Sequence, residues 1–263
     1  MLRRLLCSGL LLLPLCQLLV QSCTAAPASA SDAATAALGD TTGAAFWQQQ
    51  LRFPRVRAAK ATAGPKVASL LRTHALDPNH LEIMLRLIKT NMEVEVWARN
   101  QGAGPFELLH AYPLAATSGT LGPKRQAGDY QVPEGFYEID RFNPNSNFHL
   151  SLGLNYPNAA DRALGEPNPG GDIFIHGGAV TIGCMPITDA GIEEVYLLAV
   201  AARAAGQAVI PVHIFPFPLT EEMLAKRVDS PHYDFWKGLV AGYSYFEEKH
   251  QLPEPAQLAQ TGQ

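Results

Sequence analysis

The stretch Asp172-Ile173-Phe174-Ile175-His176-Gly177-Gly178-Ala179-Val180-Thr181-Ile182-Gly183-Cys184-Met185-Pro186-Ile187-Thr188-Asp189 sets a histidine and a cysteine among glycines at a strand-to-helix junction. Ile173, Phe174 and Ile175 read as a buried strand that delivers His176 at its end. Gly177 and Gly178 permit an abrupt turn, Val180 to Ile182 has the character of a short second strand, and Gly183 lets the backbone beside the sulfur approach another molecule. Thr188 or Asp189 is expected to cap a helix over 191–205, with Glu193 and Glu194 near its positive end. A thiol attacks a carbonyl as thiolate, so it needs a proton acceptor within reach and backbone donors for the oxyanion. This segment carries candidates for all three: Cys184 as nucleophile, His176 as base, and the backbone around Gly177 and Gly183.

Upstream, Ile83, Leu85 and Leu87 alternate with Met84 and Arg86, and after Thr90-Asn91 a second run alternates Met92, Val94 and Val96 with Glu93 and Glu95. Two such runs around a short break predict a hairpin, which residues 106–114 continue. A short helix is expected over 67–75, closed before Pro78. Helices are expected again only after Asp189, one opened by Thr220-Glu221-Glu222 and one by Ser230-Pro231. The fold class is therefore α+β, β-rich, with flanking helices that are mainly C-terminal. The expected division is an export signal over 1–22, a tether and N-terminal helical segment over 23–79, a catalytic domain over 80–217 and a C-terminal helical extension over 218–263.

Arg3 and Arg4 precede an apolar run from Leu5 to Val20 and then small residues, the three-part form of a secretory signal, and the run is too short for a membrane span. Leu19-Val20-Gln21-Ser22-Cys23 looks like a lipobox, which makes Cys23 a candidate lipid anchor; cleavage after Ala28 or Ala30 is the competing reading. Of four cysteines, Cys7 and Cys16 leave with the signal and only Cys23 and Cys184 could remain, so with Cys23 acylated or removed Cys184 is the only thiol in an oxidising compartment. A net charge of −4, without a basic run, argues against a nucleic-acid partner. No HExxH or paired-cysteine spacing occurs, and neither metal nor cofactor is expected.

Several further strings carry a resemblance. Ser118-Gly119, then Val132-Pro133-Glu134-Gly135-Phe136-Tyr137, Ile175-His176-Gly177 and Gly183-Cys184 form an ordered series similar to the signature of the L,D-transpeptidase (YkuD-type) catalytic domain. Leu121-Gly122-Pro123-Lys124, Gly128-Asp129 and Tyr156-Pro157-Asn158-Ala159-Ala160-Asp161-Arg162 look more like its YafK-like branch, with the likeness running from about Leu81 to Phe217. The resemblance implies a periplasmic enzyme of a Gram-negative bacterium acting on peptidoglycan stem peptides. Its cysteine would attack the diaminopimelate carbonyl, expel D-alanine and pass the acyl group to an amine. It also implies that Cys184 is the nucleophile, that His176 is base and then acid, and that the Gly177 carbonyl orients the imidazole. Backbone N–H groups near Gly183 and Cys184 would hold the oxyanion, and Lys124, Tyr156 and Arg162 would contact the stem peptide.

The chain departs from the common pattern in three ways: Ile182 stands where a second histidine is usual, Pro186 where arginine or asparagine is usual, and the interval from His176 to Cys184 is shorter than usual. The acceptor side of the cleft is thereby less polar. For the YafK-like branch the alternative is a hydrolase that cuts the diaminopimelate–lysine link to a wall-bound lipoprotein, with water as acceptor. A non-catalytic wall-binding lipoprotein is the third reading. A papain-like peptidase fits poorly, because there the cysteine precedes the histidine. Asp172 shares strand parity with His176 but is discounted as a triad member, and His149 and His213 are read as hydrogen-bonded core or edge residues.

Overall fold

The computed structural model describes residues 43–254. The expected signal, the lipobox at Cys23 and nearly all of the tether lie outside the described residues. Among the described residues no helix is long and apolar enough to cross a membrane.

The centre is an eight-stranded mixed sheet. Its strands are β1 (Leu81–Ile88), β2 (Glu93–Asn100), β3 (Glu107–Pro113), β4 (Gly135–Asn143), β5 (Ser151–Leu154), β6 (Phe174–His176), β7 (Met185–Pro186) and β8 (Pro211–Phe215), in the order β3-β2-β1-β8-β4-β5-β6-β7. The expected hairpin forms: β1 and β2 pair antiparallel from Leu81↔Asn100 to Ile88↔Glu93, and β3 continues antiparallel on β2. β8 then inserts parallel to β1 and antiparallel to β4. A register shift between Ile139 and Arg141 marks where β4 passes from pairing with β8 to pairing with β5. That change re-aims the strand and carries the sheet on to β5, β6 and β7 at one edge.

Because β1 is central, both of its faces are covered. Ile83, Leu85 and Leu87 enter the main core with Val195, Leu197 and Leu198 of the long helix α4 (Thr188–Ala204) and with Val56, Ala59, Val67 and Leu71 of α1 (Pro54–Thr62) and α2 (Gly64–Thr73). On the opposite face Met84 packs with Trp97, Phe106 and Phe246, and Ile88 with Phe215, Trp236 and Tyr243, under α5 (Glu221–Ala225) and α6 (Tyr233–Lys249). Arg86 is buried on that face because Glu95 accepts from its Nε at 2.6 Å, Glu247 of α6 accepts from its guanidinium, and Trp97 and Phe246 lie beneath it. A charge removed from water is tolerated only with such a complete set of partners.

The α+β class with flanking helices, most of their residues C-terminal, is as expected, but the N-terminal side carries more helix than the single short one expected. α1 and a helical run over 43–50 precede the expected helix, which forms as α2 and starts at Gly64 rather than Val67. The run Pro54-Arg55-Val56-Arg57-Ala58-Ala59 lacks an apolar stripe, although Pro54 at the first helical turn is a start signal. A short helix, α3 (Ala159–Leu164), forms where only a loop is expected. Its Asn158 and Asp161 make a reciprocal capping box.

His213 on β8 is buried, yet its Nδ1 has no partner, contrary to the expectation of a hydrogen-bonded histidine. Burial beside Phe136, Phe215 and Phe246, reinforced by the nearby Arg86 charge, lowers its pKa to about 3. The unfolded chain takes up that proton near pH 6.5 while the folded chain does not, so this histidine costs stability increasingly as pH falls from about 6.5 toward 3. His213→Leu is expected to gain about 2 kcal/mol relative to the unmodified protein between pH 7.5 and pH 5. Denaturant melts at the two pH values measure it; an equal effect at both contradicts a neutral buried imidazole.

Candidate active site

The site lies at the β6–β7 edge. β6 and β7 pair in parallel with Ile175 opposite Met185 and His176 opposite Pro186, so one step back sets Cys184 beside Phe174, two positions before His176. The turn over 177–184 thereby returns the chain so that Cys184, in the bend just before β7, lies next to the strand that ends in His176. The short strand expected over 180–182 does not form; the second strand is Met185–Pro186, after the cysteine. The reason is local. Thr181 Oγ1 accepts from the N–H groups of Gly183 (3.2 Å) and Cys184 (2.7 Å) and donates to the Cys184 carbonyl at 2.8 Å, closing a tight turn at Gly183, whose φ is 128°.

His176 is 2% exposed. Its Nδ1 lies 2.5 Å from the Gly177 carbonyl oxygen, which can only accept, so Nδ1 carries the proton and Nε2 keeps its lone pair. The Phe148 ring packs at 4.6 Å from the imidazole, tilted by 33°. Burial lowers the imidazole pKa below its usual 6.5, with the Gly177 carbonyl opposing. Cys184 is half-buried; burial raises its thiol pKa above the usual 9.0, the Phe174 N–H and Lys124 oppose that, and Asp172 adds to it. The pair rests as neutral thiol and neutral imidazole, and the sulfur is directed at the Asp172 carbonyl at 3.6 Å.

The glycine turn is held from α4. Asp189 Oδ1 accepts from the Gly178 N–H at 2.8 Å, and Thr188 Oγ1 accepts from the Gly191 N–H at 3.2 Å, so α4 starts three residues earlier than expected and its first turn is tied to the site. A Cβ at Gly177 would lie 2.5 Å from Asp189 Oδ1 and 2.7 Å from the Phe148 carbonyl oxygen. Gly177→Ala is therefore expected to cost roughly 1–3 kcal/mol and to displace the histidine. Thermal melting together with the rate of iodoacetamide labelling at Cys184 checks both effects.

The remaining expected residues have internal partners. Lys124 is buried, with its Nζ on Asp129 at 2.6 Å and on the Gln126 carbonyl at 2.8 Å. The Tyr156 hydroxyl donates to the carbonyls of Lys124 (3.3 Å) and Pro169 (3.1 Å). Arg162 is exposed and donates to the Pro157 carbonyl. Lys124 and Tyr156 tie loops together, whereas the Arg162 bond stays within its own segment. The Asp172 carboxylate is 80% exposed and pairs with Arg141 at 2.9 Å; only its backbone meets the thiol. Ile182, 74% exposed, flanks the cysteine with an apolar side chain. Among the described residues no cluster of histidine, cysteine and carboxylate side chains could hold a metal ion.

Thr181, Phe148 and Asp189 are the site residues that sequence reasoning missed or cast differently. Thr181 had a readable signal, a hydroxyl three residues before the cysteine and able to close a turn on it. Phe148 had none.

Comparison with known proteins finds no matching family model. Over 150 residues the chain is 38% identical to the Escherichia coli (strain K12) protein named "Putative L,D-transpeptidase YafK", and equally to its counterpart in E. coli O157:H7; the match covers 56% of this chain and 60% of that protein. Among solved structures, the helical cell shape determining protein Pgp2 of Campylobacter jejuni aligns with a TM-score of 0.43 at 21% identity, over 62% of this chain and 57% of that one. Bd1075 of Bdellovibrio bacteriovorus aligns with a TM-score of 0.37 at 19% identity, over 63% of this chain and 62% of that one. L,D-transpeptidase 1 of Mycobacterium tuberculosis aligns at 0.30 and 12% identity, over 51% of this chain and 62% of that one.

Proposed function

We propose that this chain is an L,D-transpeptidase-like enzyme of the YafK-like branch, acting in the periplasm on peptidoglycan stem peptides through a thioester on Cys184. The observation that supports the reading is the parallel register of β6 and β7, which sets Cys184, just before β7, next to the strand that ends in His176, while the Gly177 carbonyl accepts from Nδ1 and leaves Nε2 to take a proton. The 38% identity to YafK supports the same substrate class.

The chemistry follows from that arrangement. His176 Nε2 takes the thiol proton as the sulfur attacks the carbonyl carbon of diaminopimelate, and the C–S bond forms as the carbonyl electrons move to oxygen. Collapse of this intermediate breaks the C–N bond to D-alanine, whose amine leaves with the proton from Nε2. An acceptor amine then gives a proton to Nε2, attacks the thioester and releases the thiolate, which is reprotonated from the imidazole. In the resting site the N–H groups of Gly183 and Cys184 are donated to Thr181 Oγ1. The oxyanion therefore gains these donors by displacing the hydroxyl, or uses the hydroxyl itself after it turns from the Cys184 carbonyl.

A second reading is favoured by one observation, the exposed apolar Ile182 beside the thiol, which offers an acceptor amine no polar partner. On it, water resolves the thioester and the enzyme detaches a lysine-linked lipoprotein from diaminopimelate. Trapping tests the shared first step. The full chain mixed with tetrapeptide stems, quenched in acid and digested, should yield an acylated Cys184 peptide. An unmodified Cys184 peptide at saturating stem peptide, with D-alanine released, would contradict covalent catalysis.

A further inference from the structure

We propose that Arg55, on α1 and remote from the cysteine in sequence, is a positioning residue for the His176 imidazole and acts through the backbone of residues 146–149. The inference rests on reading Cys184 and His176 as a working pair.

The Gly177 peptide orients the imidazole, and it is itself held by the loop before β5. Its N–H donates to the carbonyls of Phe148 (3.0 Å) and Leu150 (3.3 Å), while its own carbonyl receives His176 Nδ1. The Phe148 ring covers the same imidazole. Any displacement of residues 146–149 therefore moves both the orienting peptide and the covering ring.

Within that loop the Ser146 hydroxyl accepts from the Phe148 N–H and the Asn143 side chain from the Asn145 N–H, both at 3.1 Å. The loop lies between β4 and β5, and His149 sits at a φ of 70°. The restraints that tie it to the rest of the molecule come from the helices. Arg55 Nη1 donates to the carbonyls of Ser146 and of His149, the latter at 2.8 Å. His149 Nε2 lies 2.8 Å from Glu193 Oε1 on α4, and Thr62 of α1 donates to the other oxygen of that carboxylate at 2.6 Å. α1 thus grips the loop directly through Arg55 and indirectly through Glu193.

Arg55 is exposed and, apart from its partly buried bond to the Ser146 carbonyl, meets the loop at the surface. A displacement of about 1 Å at a reacting group can cost on the order of 100-fold in rate. Loss of Arg55 is therefore expected to show in the chemistry as well as in the melting temperature, and the pH profile separates the two.

The test uses the full chain, its Arg55→Ala and Arg55→Lys variants and His176→Ala. Iodoacetamide labelling at Cys184 is located by peptide mass spectrometry and followed from pH 5 to pH 10, beside thermal melting. Arg55→Ala is expected to slow labelling at pH 7 by about 10-fold and to move its pH profile toward that of His176→Ala, with the melting temperature lowered by only a few degrees and the protein fully folded at the assay temperature. Arg55→Lys, which keeps one donor, should recover most of the rate. Labelling of Arg55→Ala at the unmodified rate and profile, or slowing only in proportion to lost folded protein, overturns the proposal. Labelling of His176→Ala as fast as the unmodified chain at pH 7 instead overturns the thiol–imidazole pair, and this inference with it.

Discussion

A Cys184→Ala variant is expected to release no D-alanine and to carry no acyl adduct, a loss of about four orders of magnitude or more while the fold persists. The size of the effect follows from the covalent route: without sulfur no thioester forms, and neither a hydroxyl nor a backbone group replaces it. The fold should tolerate the change, because the side chain is half-buried and its hydrogen bond is a weak one to the Asp172 carbonyl at 3.6 Å. Release of D-alanine assayed with tetrapeptide stems, beside a melting curve, measures both parts. Retained turnover in the alanine variant would remove the cysteine from the mechanism altogether.

His176→Ala carries the second large effect, about 10²- to 10⁴-fold in the acylation rate near pH 7, the usual contribution of a positioned general base. The sign of its pH dependence is set by the resting state. Burial keeps the imidazole neutral below its usual 6.5, so the unmodified rate should hold through that value and decline only as pH falls through the depressed one. The thiol is raised above 9.0, so the alanine variant must await direct ionisation and should recover only in alkali. The two rate–pH profiles should therefore lie furthest apart near neutrality and converge above about pH 9. A flat, fast plateau at low pH in the unmodified protein would instead indicate a thiolate–imidazolium pair and contradict the neutral resting state.

The elements legible in the sequence are those whose patterns have a single physical cause. The alternation of Ile83, Leu85 and Leu87 and the break at Thr90-Asn91 yield the hairpin, and the apolar run before His176 yields β6. The alternation understates burial, because β1 lies between β2 and β8 and the helices that cover its second face are far away in sequence. Val180 to Ile182 misleads because β-branched residues signal a strand while the Thr181 hydroxyl takes up the N–H groups a ladder would need. Lys124 and Tyr156 are conspicuous residue types beside the motifs, but their partners are set by loop packing that local sequence does not encode. The histidine and cysteine stood out because glycines on either side free the chain to bring them together.

The measurement that tests the central claim most directly is mass spectrometry of purified muropeptides after incubation with the full chain and with Cys184→Ala. The substrates are tetrapeptide stems and stems that carry a lysine-linked peptide on diaminopimelate. The account predicts products formed only by the intact thiol: cross-linked stems with loss of D-alanine for the transpeptidase, or loss of the lysine adduct without cross-links for the hydrolase. Identical muropeptide profiles for the two proteins on both substrates would contradict cysteine-dependent peptidoglycan chemistry at this site.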